Sequence, residues 1–262
     1  TKSHHETKYK FGVQVPCGER EALSINKQVG NVLWQEALDK ELNLIHEHAT
    51  FHALDEGEAL PEGYIRIPYH FVFDVKFDGR WKARLVTGGH RTPDVSQEKV
   101  YSGVVSVDTI RVAFVLAELN NLGVMAADIS IAFLHGRTRE RVYIKARPEF
   151  SKFAGKTLLI DGSVYGLKSS AARFHEHLAF RLHQLGFVPC CADYDLWMRP
   201  QRDYYEYIAT YVDNLLVFSC DPAKTSGNAS PGLGLKYLEV LIIVCNYSGG
   251  AANLANSWQF QV

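Results

Sequence analysis

Tyr211-Val212-Asp213-Asn214 lies between two apolar runs, Tyr204-Tyr205-Glu206-Tyr207-Ile208-Ala209-Thr210 and Leu215-Leu216-Val217-Phe218. Runs rich in aromatic and β-branched residues on either side of a short polar pair read as a hairpin, with Asp213-Asn214 as its two-residue junction. A carboxylate at such a tip is presented by two buried strands and can hold a metal ion. The same pair also closes an ordinary β-turn, because Asp and Asn favour turns. Asp128 bears on that choice. It ends a short apolar strand, Val124-Met125-Ala126-Ala127, a position where α/β and α+β folds commonly place a catalytic group.

Three helices are expected around these strands. Trp34, Ala37, Leu38, Glu41, Leu42 and Ile45 form one stripe, with Asn31 as N-cap. Ile110, Ala113, Phe114 and Ala117 line a helix over 106–122, with Gly123 as the residue beyond its end. Ala171, Phe174, Leu178, Leu182 and Leu185 line a third over 169–185, stopped by Gly186. Tyr64 to Phe77 reads as one long strand that turns at Asp78-Gly79 and returns from Arg80 to Thr87. Lys82 and Arg84, two apart, then share a face. Shorter strands are expected over 141–146 and 158–160. Residues 1–30 show no sustained period and read as a linker or frayed arm. The order of elements predicts an α+β fold: an antiparallel sheet with helices on one face, on whose neighbouring strands Asp128 and Asp213 can meet.

Composition excludes several classes. With 47% apolar and 22% charged residues over 262 positions the chain is an ordinary globular one, long enough for one large or two modest domains. No apolar run reaches the length of a membrane span, and no signal-peptide pattern opens the chain. A first residue of Thr suggests a piece of a longer reading frame or a processed product. Cys17, Cys190, Cys191, Cys220 and Cys245 form no C-x-x-C pair, which suggests free thiols in a reducing compartment. His46 with His48, and His175 with His177, are two residues apart and cannot chelate as an i, i+4 pair would. The net charge of −1 hides two basic segments. Residues 79–93 hold Arg80, Lys82, Arg84 and Arg91 with no acid, and 137–147 hold Arg137, Arg139, Arg141, Lys145 and Arg147 against Glu140. Such segments suit a polyanion groove, or merely solvated strand edges.

Four motifs then occur in a fixed order: Arg80-Trp81-Lys82-Ala83-Arg84-Leu85-Val86, Asp128-Ile129-Ser130-Ile131-Ala132-Phe133-Leu134, Val164-Tyr165-Gly166-Leu167-Lys168 and Tyr211-Val212-Asp213-Asn214. The set resembles the reverse transcriptase of copia-type LTR retrotransposon polyproteins. Asn31-Val32-Leu33-Trp34-Gln35-Glu36-Ala37 and Ala192-Asp193-Tyr194-Asp195-Leu196-Trp197-Met198-Arg199-Pro200 look like the same family, so the likeness runs from about Asn31 to Ser219.

The resemblance implies a right-hand polymerase over 31–223. Its fingers are built around 31–93 and parts of 140–170, its palm carries Asp128 and Asp213, and no thumb is recognisable. It implies RNA-directed DNA synthesis, the addition of deoxynucleotides to a primer 3′ end with two Mg²⁺ ions (Mn²⁺ as a substitute) about 3.5–4 Å apart. Asp128, Asp213 and Asn214 would be the metal ligands. Lys82 and Arg84 would neutralise the triphosphate, and Ala132, Phe133 and Gly166 would line the nucleotide site, with Phe133 under the sugar as a barrier to a 2′-hydroxyl. Implied partners are a primed RNA or DNA template, deoxynucleoside triphosphates and the RNase H, integrase and protease segments of a polyprotein, whose motifs this chain does not display. A cytoplasmic location, in virus-like particles, and no membrane association are implied as well.

The chain departs from the family pattern in three places. Asn214 stands where the family usually has a second Asp, and Ser169-Ser170 where many members have Gln. Residues 224–262 match none of the pattern and read as a frameshifted or degenerate tail. The alternative to a polymerase is therefore an inactive remnant that folds and at most binds nucleic acid. An unrelated α+β nuclease using the same acids would need neither Lys82 and Arg84 nor the aromatic after Asp128.

Overall fold

A computed structural model describes residues 7–92, 100–225 and 240–241. Its elements are β1 (Lys8–Lys10), β2 (Val13–Val15), α1 (Glu19–Val29), α2 (Leu33–Glu47), β3 (Phe51–Ala53), β4 (Ile65–Arg66), β5 (Tyr69–Val75), β6 (Trp81–Thr87), α3 (Val107–Leu119), β7 (Gly123–Ile129), β8 (Val142–Lys145), β9 (Thr157–Ile160), α4 (Ser170–Gln184), β10 (Val188–Pro189), β11 (Leu196–Pro200), β12 (Tyr205–Tyr211), β13 (Asn214–Ser219), α5 (Pro222–Thr225) and β14 (Val240–Leu241). The chain divides into two compact units, Thr1–Val100 with Gly136–Arg173, and Tyr101–His135 with Phe174–Val262. Both mix helices with mainly antiparallel sheet, as an α+β chain should.

In the first unit the stripe of α2 buries Trp34, Ala37, Leu38 and Ile45. The Trp34 ring meets Phe73 edge to face at 5.5 Å and Trp81 at 4.2 Å. Enclosing a ring of that size stabilises the unit by roughly 4–6 kcal/mol before entropy is counted. The N-cap of α2 is Val32 and not the expected Asn31, which lies one residue earlier and whose Oδ1 accepts from the Leu33 N–H at 3.3 Å. β5 and β6 pair from Tyr69↔Thr87 to Val75↔Trp81, and Gly79 takes the left-handed conformation (φ 80°) that their turn requires.

The long strand expected over 64–77 is two strands. Ile65–Arg66 runs parallel to β8 in the sheet β3-β9-β8-β4, while Tyr69–Val75 joins β6. Pro68 lies between them, and without an N–H it cannot carry one ladder through. Residues 1–30 are also corrected. Their described part holds the β1–β2 hairpin and α1, which Gly30 (φ 75°) closes by donating its N–H to the Asn26 carbonyl. These elements went unread because the strands have three residues each and α1 buries only Ala22, Ile25 and Asn26.

The second unit is a six-stranded sheet in the order β10-β11-β12-β13-β7-β14. Phe174, Leu178 and Leu182 of α4 pack with Ala127, Ile129, Ile208, Leu215, Val217 and Trp197. Ala113, Phe114 and Ala117 of α3 pack with Leu196, Tyr207, Ala209, Leu216 and Phe218. Alternate residues of the same strands serve the two clusters, so the sheet carries one helix on each face, and the expectation of helices on one face is wrong. The reason is in the strands: Leu215 to Phe218 are apolar at every position, and a strand buried on both faces needs that.

Ser106 caps α3, its hydroxyl accepting from the Thr109 N–H at 3.1 Å. The helix ends at Asn120, and Asn121 (φ 52°) supplies the left-handed residue, whereas the expected Gly123 opens β7. Asn tolerates that conformation, so no glycine is needed. Gly186 (φ 83°) follows α4 as expected. Of the 224–262 segment, Lys224 and Thr225 close α5 and β14 pairs with β7 (Val240↔Ile129, Leu241↔Asp128), while the rest lies outside the described residues. Cys17, Cys190, Cys191 and Cys220 are free thiols, and Cys245 lies outside the described residues.

Candidate active site

The antiparallel register of β7 and β13 sets Asp128 directly opposite Asn214. Directly opposed residues share a sheet face with Cβ atoms about 4.5–5.5 Å apart. The Ile129 N–H donates to the Asp213 carbonyl at 2.7 Å, fixing the turn against the end of β7. Tyr211 pairs with Asn214, so the two-residue loop is Val212-Asp213 and not Asp213-Asn214. Asn214 belongs to the ladder, since pairing with β7 extends β13 back to meet Asp128. All three polar side chains are half-buried, and the Asn214 amide donates to Asp213 Oδ1 at 3.0 Å. The structure thus brings Asp128, Asp213 and Asn214 together.

The backbone here is strained. Val212 (φ 54°) and Ile131 (φ 49°) are β-branched residues in the left-handed region, one beside Asp213 and the other three residues after Asp128. Each such conformation costs on the order of 1–3 kcal/mol and persists only where surrounding structure imposes it. Two carboxylates and an amide oxygen are oxygen donors only, the set a hard divalent cation takes when substrate phosphates and water complete its shell. The residues present fit such an ion.

Beyond Ile131, residues Ala132–His135 form a 3₁₀ turn. Ala132 is buried in the α4 cluster. Phe133 is half-buried against it, with its ring 6.4 Å from Phe174 in an edge-to-face contact.

Lys82, Arg84 and Gly166 belong to the first unit. Lys82 and Arg84 alternate with buried Ala83 and Leu85, as their spacing predicts. The half-buried Glu41 of α2 accepts from the Leu85 N–H at 2.9 Å, and desolvation pushes its carboxyl above the ordinary 4.5 despite that hydrogen bond and the pull of Lys82 and Arg84. Sequence reasoning missed this counter-charge, although a carboxylate inside the α2 apolar stripe was its signal. The Arg84 guanidinium lies 5.5 Å from the Tyr165 ring, and its buried Nε has no acceptor among the described residues. Gly166 (φ 94°) docks against the end of β6, where a Cβ would stand 2.0 Å from the Thr87 carbonyl oxygen. Its neighbour Tyr165 accepts from the Thr87 N–H at 2.8 Å. Ser169 donates its hydroxyl to Glu140 Oε1 at 2.6 Å, both residues being buried. Of the second basic segment, Lys145 and Arg147 line a cleft of about 350 Å³ with Arg66 and Tyr69. Burial pushes the Tyr69 hydroxyl up to about 12 while it accepts from Arg147.

A family model described as reverse transcriptase (RNA-dependent DNA polymerase) matches residues 57–228. Among curated proteins, the chain is 27% identical over 215 residues to the retrovirus-related Pol polyprotein from transposon TNT 1-94 of Nicotiana tabacum, covering 77% of this chain and 16% of that protein. It is 25% identical over 245 residues to the retrovirus-related Pol polyprotein from transposon RE1 of Arabidopsis thaliana, covering 89% and 16%. It is 28% identical over 207 residues to the transposon Ty1-LR2 Gag-Pol polyprotein of Saccharomyces cerevisiae, covering 77% and 11%. The chain therefore spans about a sixth or less of the length of these relatives. Among the described residues no helix is long and apolar enough to cross a membrane.

Proposed function

The chain belongs to the reverse transcriptases of copia-type LTR retrotransposons, and on that premise we propose that it is the fingers and palm of an RNA-directed DNA polymerase that extends a primer 3′ end with deoxynucleotides. The observation that carries the reading is the register that opposes Asp128 to Asn214 and hangs Asp213 on a strained turn beside them. In this reading the first unit supplies fingers and the second the palm. Asp128 and Asp213, joined by the Asn214 oxygen, would hold Mg²⁺. Divalent ions bound there supply a more acidic primer hydroxyl and charge stabilisation for the leaving pyrophosphate.

The protein's own groups do the rest. Lys82 and Arg84 bind the triphosphate, and the buried Arg84 Nε–H gains the acceptor it lacks among the described residues. Glu41 holds the strand between them and keeps part of their charge balanced before a nucleotide arrives. Ala132 and Phe133 of the second unit would meet the nucleotide sugar, with Phe133 beneath it, and Gly166 of the first unit holds the end of β6, the strand that carries Lys82 and Arg84. A primed template would be the substrate, and the remaining polymerase and polyprotein functions would come from other segments. The test is primer extension on poly-rA/oligo-dT with Mg²⁺, with Asp128→Ala as control.

Phe133 gives a second check on the same reading. Phe133→Val removes the ring that a 2′-hydroxyl would strike. Ribonucleotide incorporation relative to deoxynucleotide should rise by about one to two orders of magnitude. Loss of the edge-to-face contact with Phe174 should also cost roughly 1–3 kcal/mol of stability. A variant that loses stability while sugar selectivity stays put would make Phe133 a core residue only.

A further inference from the structure

Two hairpin tips of the first unit carry aromatic rings into solvent. Phe77, in the β5–β6 turn, is 93% exposed, and Phe11, in the β1–β2 turn, is 59% exposed. Their rings meet edge to face with centroids 5.9 Å apart, and Tyr9, two residues before Phe11, is 66% exposed. Apolar side chains exposed singly are ordinary, but aromatic rings gathered on adjoining tips form a patch.

The backbone shows that Phe11 is held in place at a cost. Lys10 pairs with Val13, so Phe11-Gly12 is a two-residue loop with φ 52° and 77°. Such a turn needs φ > 0 at both positions and normally takes Asn-Gly; a bulky ring there is an outlier. The surroundings are basic. Lys8, Lys10, Lys76 and Arg80 lie on these strands and turns against Asp74 and Asp78. Asp74 is shared by Lys10 (2.7 Å) and Lys76 (4.0 Å), and Asp78 accepts from Arg80 at 2.6 Å. Lys8 pairs with Val15 at the far end of its hairpin, so Lys10, Lys76 and Arg80 against Asp74 and Asp78 leave one positive charge beside the rings.

We propose that Phe11 and Phe77 form a stacking platform for unpaired bases of single-stranded nucleic acid, with the tip cations tracking its backbone. The proposal rests on the polymerase reading for the class of partner, since an enzyme that copies a strand meets unpaired template bases. Every base has a π face, so rings beside cations bind single strands without reading sequence. An apolar protein face would gain nothing from a net positive rim, and an anionic lipid surface, which would gain from it, is separated by the vesicle arm of the test.

The test is fluorescence anisotropy of the 262-residue chain with labelled oligo-dT and with a blunt duplex. The Phe11→Ala, Phe77→Ala double variant should bind oligo-dT about tenfold more weakly. Its salt dependence should keep the same slope, because no phosphate contact is lost, and duplex affinity should not change. Phe77→Leu should behave as the alanine variant and Phe77→Trp as the natural chain, all with unchanged circular dichroism, since the ring is exposed. Oligo-dT affinity that is absent in the natural chain or unaltered in the double variant overturns the proposal. So does binding retained by Phe77→Leu, or a loss of self-association or vesicle binding in the alanine variant alone, which would make the tips an apolar docking surface. Primer extension judges the polymerase reading separately, so failure of one is distinguishable from failure of the other.

Discussion

Asp128→Ala should reduce primer extension by at least roughly 10²–10³-fold, the usual loss when one preorganised charge-stabilising group is removed. Asp128 is the penultimate residue of β7, directly opposite Asn214 and beside the Asp213 turn, and among the described residues no other carboxylate pairs with that position of β13. Because Asp128 is half-buried at a strand end, the variant should keep its fold, which circular dichroism checks. Asn214→Asp run in parallel reads the third ligand. An added carboxylate should lower the Mg²⁺ concentration for half-maximal extension by about tenfold, since a full charge replaces an amide dipole close to the ion. Extension unaffected by Asp128→Ala would remove the polymerase site from this sheet end. Extension seen only with Asn214→Asp would identify a folded chain disabled at one ligand.

The second large effect is on stability. Glu206 of β12 is buried and accepts from Arg199 Nε, Gln201 Nε2 and Ser219 Oγ, each at 2.7 Å, and from Thr225 Oγ1 at 2.8 Å. One carboxylate thus ties β11, β13 and α5 to β12. Glu206→Ala removes the carboxylate that Arg199 and two buried hydroxyls share, leaving Arg199 the Leu185 carbonyl and Thr225 the Asp221 carbonyl, and should cost about 3–5 kcal/mol, read as a lower urea midpoint at pH 7. Burial alone would raise the Glu206 carboxyl, but the hydrogen bonds outweigh it and hold it below its ordinary 4.5. The unfolded chain then binds more protons, so this contribution is complete above pH 4.5 and is lost as pH falls through the folded value. Glu41 has the opposite sign: its raised carboxyl contributes below 4.5 and loses that contribution as pH rises through its folded value. The gap between the natural chain and Glu206→Ala should narrow in acid. A gap that stays constant from pH 7 down to pH 3 would rule out the charged clamp.

The motifs pointed to Asp128, Lys82 and Arg84 through physical features that act locally. Asp128 was legible because an acid ended an apolar run, and the β5–β6 turn because Asp78-Gly79 has the chemistry a tight turn needs. Lys82 and Arg84 were legible because alternation alone puts them on one face. Glu41 was visible as an acid inside an apolar stripe, but what it faced was not, since its partner Leu85 is 44 residues away. The N-terminal hairpin was invisible because strands of three residues set no period, and α1, although 11 residues long, buries only Ala22, Ile25 and Asn26.

What the sequence by itself determined was the family, the kind of most long elements and the candidate acids, all of which depend on neighbouring residues and spacing. Tertiary structure alone decided the rest. Continuous apolar runs say that strands are buried, but only packing showed α3 and α4 on opposite faces. The turn moved by one residue to Val212-Asp213 because pairing with β7 recruits Asn214 into the ladder. Gly166 proved to be required by the Thr87 backbone, a contact across 79 residues of chain that no local pattern encodes. Register, facing and close approach belong to pairs of segments distant in sequence, so they exist only once the chain has folded.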